Sequence, residues 1–152
     1  MMRKRLLSMV VLITVCLMSG SAYAVDRDAE IVAFTKKTIA HLENVGRKQA
    51  EKDFANRNGD FIKGEVYVVI MDLDGFTTYN PINSRLVGKN FMNFRDHNGK
   101  QFMYELIQNL KRSGDSWIEY HFVNPVTKKI AKKRAFAKMI NKKEFSLIGY
   151  WP

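Results

Sequence analysis

One cysteine, three prolines and three histidines are all that this chain of 152 residues carries of those types, and each scarcity excludes a class of chemistry. Cys16, the lone thiol, lies in an apolar leader, so the remainder has no disulfide and no cysteine-ligated metal, and its core must hold the fold unaided. His41, His97 and His121 stand in no recognisable nucleophile motif, which leaves nucleophilic catalysis without a base. Glycine-rich phosphate loops, zinc-type His/Glu spacings and paired-carboxylate motifs are missing too. Asp72-Leu73-Asp74-Gly75 opens like a calcium loop, but its glycine comes fourth rather than sixth and Asn83 stands where the twelfth-position glutamate belongs. It reads as a hairpin turn. No enzyme and no cofactor are expected.

Long hydrophobic runs are also lacking. The apolar stretch Leu6 to Met18 falls short of the ~20 residues that span a bilayer. It follows Arg3-Lys4-Arg5 and precedes Ser19-Gly20-Ser21-Ala22-Tyr23-Ala24, the basic, apolar and small-residue parts of a secretory signal. Residues 1–24 are therefore expected to be a signal peptide cleaved after Ala24. Val15 precedes Cys16 where a lipoprotein signal places a small residue, so the expected product is soluble and periplasmic or secreted.

What is left, residues 25–152, has the size of one domain with one core, and no linker or repeat divides it. Without the three leader cations, 22 basic groups face 15 acidic ones, a net +7. Such an excess suits an anionic surface, but eight of the basic groups crowd between Lys128 and Lys143, and no nucleic-acid partner is expected.

From Asp26 to about Phe54, Ile31, Phe34, Thr38, Leu42 and Val45 recur at helical spacing opposite Lys36, Lys37, Glu43 and Arg47, predicting one long amphipathic helix capped by Asp26 or Asp28. Val66 to Met71 and Thr77 to Tyr79 read as a hairpin whose first strand is apolar on both faces and hence central. An irregular stretch then runs to Gly99. Phe102, Met103, Leu106, Ile107 and Leu110 predict a second helix ended by Ser113-Gly114. Strands over 117–123, 130–140 and 145–151 complete an α+β domain with an antiparallel sheet.

Strand alternation within the basic run puts Lys133 in step with Ala135, Ala137 and Met139, and Lys132, Arg134 and Lys138 with Phe136 and Ile140. Lys133 is the only cation on the more apolar row. It is either a stem reaching solvent or a buried ammonium awaiting an anion.

The ordered set Gly46, Ala50, Phe54, Gly59-Asp60-Phe61, Val66 to Gly75, Asn80-Pro81, Leu86-Val87-Gly88-Lys89-Asn90, Arg95 to Phe102, Trp117-Ile118-Glu119-Tyr120 and Asn124 to Lys128 resembles the extracellular single-Cache sensor domain, a PAS-like module of bacterial chemoreceptors and sensor kinases. The resemblance implies a long N-terminal helix against a curved antiparallel sheet that encloses a small ligand, often a short carboxylate. It further implies that Lys133, Trp117, Tyr120 and Tyr67 supply donors to that anion, with Asn80 at the pocket edge. Two positions depart from the family pattern, Asn80 where histidine is frequent and Phe136 where tyrosine is. Strand parity puts Trp117 and Tyr120 on opposite faces unless a bulge intervenes, so one of them is expected to be core. Because no apolar span follows Trp151-Pro152, the expected partner is a separate membrane receptor or sensor kinase. The alternative expectation is a basic interaction module that binds an acidic envelope polymer or protein.

Overall fold

The computed structural model describes residues 26–152, so the leader expected over 1–24 lies outside the described residues. Helix α1, Arg27–Val45, begins at Asp26, whose carboxylate accepts from the Asp28 amide. Its inward face buries Ile31, Phe34, Thr35, Thr38 and Ile39, and both threonine hydroxyls donate to carbonyls one turn back. The sequence predicts one helix to about Phe54. Instead Gly46 (φ 77°, ψ 161°) breaks it, and α2 runs separately over Arg47–Ala55. That positive φ costs a glycine little, and the Gly46 amide still closes the last turn on Leu42. Arg47, at the start of α2, binds the Glu51 and Glu144 carboxylates and the Thr78 hydroxyl, tying α2 to the sheet.

The strands are β1 (Ile62–Lys63), β2 (Val66–Tyr67), β3 (Val69–Asp72), β4 (Thr77–Tyr79), β5 (Asp115–Val123), β6 (Ile130–Met139) and β7 (Glu144–Tyr150). β1 and β2 form a small hairpin that the sequence did not announce. The other five make an antiparallel sheet in the order β4-β3-β7-β6-β5, with β3 inside it as its two apolar faces require. Helix α3, Phe102–Ser113, ends on Gly114 in the left-handed region.

The sheet buries both faces. Against α1 and α2 it sets Val68, Ile70, Phe136 and Ile148 with Phe34 and Phe54. Against α3 it sets Met71, Tyr120, Ala135, Ala137 and Leu147 with Met103, Leu106 and Ile107. Gly149 lies where β7 and β6 approach closely, since a Cβ there would sit 2.5 Å from the Arg134 carbonyl oxygen.

The irregular stretch from Asn80 to Gln101 is organised by side chains that stand in for backbone partners. Asn80 Oδ1 accepts from Ile82 and Asn83, and Asn90 bridges the Met92 amide and the Asp74 carbonyl. Asp96, its side chain only 1% exposed, accepts from the amides of Asn98, Lys100 and His121 and thereby pins the loop to β5.

Candidate functional site

Between the α3 face of the sheet, the first turn of α3 and this pinned loop lies a cavity of about 60 Å³. Its apolar wall includes Val69, Met71, Phe91, Phe102, Met103 and Leu147, and its polar lining is Tyr67, Thr77, Asn80, Tyr120 and Lys133. The strands explain the convergence. β5 and β6 pair without a bulge from Asp115↔Lys138 to Val123↔Ile130, so Tyr120 and Lys133 are direct cross-strand neighbours on one face. The same unbroken register carries Trp117 to the other face, paired with Phe136.

Four of the five residues considered from sequence, Tyr67, Asn80, Tyr120 and Lys133, therefore line one cavity, while Trp117 does not. Trp117 packs in the α1 core beneath the Arg134 guanidinium, 4.5 Å from the ring centroid. The indole beside Lys133 belongs instead to Trp151, whose ring centroid is 4.3 Å from the ammonium. Its Nε1 is buried and has no hydrogen-bond partner among the described residues. A signal for this existed: β6 and β7 pair as Arg134↔Tyr150, so one further step sets Trp151 opposite Lys133. Phe102 was likewise read only as helix core, yet it stacks on Tyr120 with centroids 4.1 Å apart and planes 4° from parallel, fixing the phenol's direction.

Lys133 is 8% exposed and makes no side-chain hydrogen bond or ion pair with any described residue. Only aromatic faces attend it, Trp151 and, at 5.4 Å, Tyr67. Burial pushes its pKa down to about 8, and the charge of Glu65 opposes this only in part. Burial also raises the Tyr67 and Tyr120 phenols, Tyr120 further through Tyr67, so both remain hydrogen-bond donors at neutral pH. With its Oδ1 committed to the loop, Asn80 presents an amide NH₂. The polar lining is thus rich in donors and contains a single cation and no carboxylate.

The remaining charges of the basic run do not line the cavity, and those on β6 are all paired. Lys132 meets Glu119, Lys138 meets Asp115, and Arg134 binds both Asp28 and Glu119. Tyr150 donates to the same Asp28, anchoring the first turn of α1 to the sheet.

A helix-backed antiparallel sheet with a small cavity under a pinned loop is the architecture of extracellular sensor domains, and the chain belongs to the Single Cache domain 2 family, whose model matches residues 30–148. Among solved structures it is similar to the periplasmic sensor domain of a chemotaxis protein, with a TM-score of 0.69 and 19% identity over 86% of this chain and 99% of that one. A methyl-accepting chemotaxis protein of Vibrio parahaemolyticus gives 0.70 and 18% over 82% and 88%. A Cache chemosensory domain described for carboxylic acid recognition gives 0.68 and 18% over 82% and 92%. Likeness at these identities speaks for the fold. No curated protein sequence matches the chain. Among the described residues, no helix is long and apolar enough to cross a membrane.

Proposed function

We propose that the protein is a periplasmic sensor module, exported by residues 1–24, whose cavity binds one short monocarboxylate and whose occupancy is read by a separate membrane receptor or kinase. The observation that carries this reading is Lys133, a buried ammonium facing a cavity whose lining, among the described residues, holds no carboxylate to pair it. An unpaired buried cation is costly to maintain, and a carboxylate would offset that cost through short, charge-assisted hydrogen bonds. Tyr67, Tyr120 and Asn80 supply the further donors that a carboxylate's remaining lone pairs need.

Cavity size and lining narrow the class. A space of only about 60 Å³ favours a short acid over a long one. An amino acid would bring an ammonium to a lining without a carboxylate, and a dicarboxylate would press its second charge against Val69, Met71 or Leu147. The pairing of Lys132, Arg134 and Lys138 with acids weighs against a basic polymer-binding strand as the working surface.

Thermal unfolding of the purified protein with acetate, propionate and pyruvate, and with amine, amino-acid and dicarboxylate controls, tests this reading. At ~100 times its dissociation constant an acid adds about 2.7 kcal/mol, several degrees for a domain of this size. The reading fails if no monocarboxylate shifts the transition, or if the shift persists in Lys133→Met.

A further inference from the structure

Outside the cavity, beyond the loop that closes it, an open groove runs between that loop and the ends of β5 and β6. Its floor is apolar and exposed: Phe94 is 42%, Val123 50% and Ile130 52% accessible. Its rim is cationic. Lys89 and Arg95 flank the groove, and Lys128 and Lys129 project from the adjoining β5–β6 turn. None of these four pairs with a carboxylate among the described residues. Segments 81–100 and 121–131 contain only one acid, Asp96, and its buried oxygens are consumed by three backbone amides. This side of the molecule therefore combines unpartnered apolar area with uncompensated positive charge.

The groove and the cavity also share a wall. Leu86, Phe91 and Phe122 line both. Exposed Phe94 packs edge-on against Phe91 (5.5 Å), Phe102 (6.0 Å) and Phe122 (6.2 Å), and Phe102 is the ring stacked on Tyr120. An aromatic cluster thus runs without interruption from the surface to the phenol that faces the cavity.

We infer that this groove is the docking site for an acidic segment of a partner protein that inserts an apolar side chain beside Phe94, and that cavity occupancy tunes its affinity through the shared aromatic wall. Concavity favours an inserted side chain over a flat lipid surface, and the cationic rim favours carboxylates around it. The tuning, though not the docking, rests on the carboxylate reading above.

The test is an amide-resolved NMR titration of the protein with a labelled peptide alternating glutamate and phenylalanine, with anisotropy for affinity. Saturable shifts are expected at Phe94, Val123 and Ile130, with affinity reduced about tenfold or more in Phe94→Ser and reduced independently in Lys89→Glu. Lys89 is exposed, so Lys89→Glu keeps the wild-type melting temperature. Phe94→Ser also loses its ring contacts to Phe91, Phe102 and Phe122 and is titrated below its own transition, unchanged amide shifts away from the groove showing that the fold is intact. Saturating propionate is expected to change peptide affinity about fivefold, and Lys133→Met to abolish that change while leaving docking intact. Absence of saturable shifts, shifts on the α1 face instead, or unchanged affinity in Phe94→Ser overturns the inference. So does Phe94-dependent binding to phosphatidylglycerol vesicles, or Phe94-dependent self-association, without peptide binding. Docking that survives in a protein no monocarboxylate stabilises sinks the ligand reading and leaves the docking site standing.

Discussion

Replacing Lys133 by methionine should make the empty protein more stable and blind to its ligand. Moving a lysine pKa from its ordinary 10.5 to about 8 corresponds to about 3 kcal/mol at ~1.4 kcal/mol per tenfold change, the net cost of keeping the ammonium charged in a buried site after the opposing charge of Glu65. Methionine is unbranched and of similar length, so it fills the stem's space without the charge. Losing the attraction to the Trp151 and Tyr67 faces gives back about 1 kcal/mol. The net gain is then about 2 kcal/mol, or roughly 5–10 °C in melting temperature for a domain of this size. Intrinsic tryptophan fluorescence follows the transition directly. The wild-type protein should also become more stable as pH rises above about 8 while it stays below the ordinary tyrosine pKa of 10.0, because in that window the unfolded chain still holds a lysine proton that the folded chain has shed. Lys133→Met should lack that rise. Carboxylate affinity in the wild type should fall over the same range as the ammonium is neutralised. A variant that melts lower than wild type, keeps the alkaline gain, or still responds to monocarboxylates would refute the assignment of Lys133 as an unpaired buried cation.

Three further outcomes follow from the packing. Gly149→Ala would drive a Cβ into the Arg134 carbonyl oxygen and Ala135 in the sheet centre, so a loss of about 2–3 kcal/mol in denaturant unfolding is expected. Asp96→Ala would leave the amides of Asn98, Lys100 and His121 without their acceptor; about 2 kcal/mol of destabilisation and faster amide exchange confined to residues 95–101 and the His121 amide are expected. Arg134 holds the Asp28 carboxyl below its ordinary pKa of 3.8, so this ion pair's contribution is complete above that pH and disappears as pH falls through the lower folded value. Asp28→Asn should flatten that acid limb in a pH series of melting temperatures.

Much of the architecture could be read from local pattern. Period-two alternation placed Lys133 with Ala135 and Ala137, and the turn and helix-stop residues marked β3–β4 and the end of α3. Parity alone separated Trp117 from Tyr120, and the bulge-free β5–β6 register makes Trp117 the core member. Less legible was whatever depends on distant chain. Gly46 sits in a helical period that runs on unbroken on either side of it, so the break reflects α2 being drawn to Glu144 and Thr78 in the sheet. Trp151 reaches Lys133 only through the β6–β7 pairing, and Phe91 and Phe122 join the cavity only because Asp96 fastens the loop to β5. Residues that face each other inside a strand pairing were visible; Trp151, which meets Lys133 one step past the end of β7, and residues brought in by a third element were not.

Lys133 and Arg134 are consecutive, ~3.8 Å apart along the backbone, yet they serve opposite sides of the sheet: one ammonium enters the cavity and one guanidinium grips Asp28 at the start of α1. On the carboxylate reading, a shift of β6 that drew Lys133 toward an anion would reach the residue holding the N-terminal helix directly, with no chain of side chains in between.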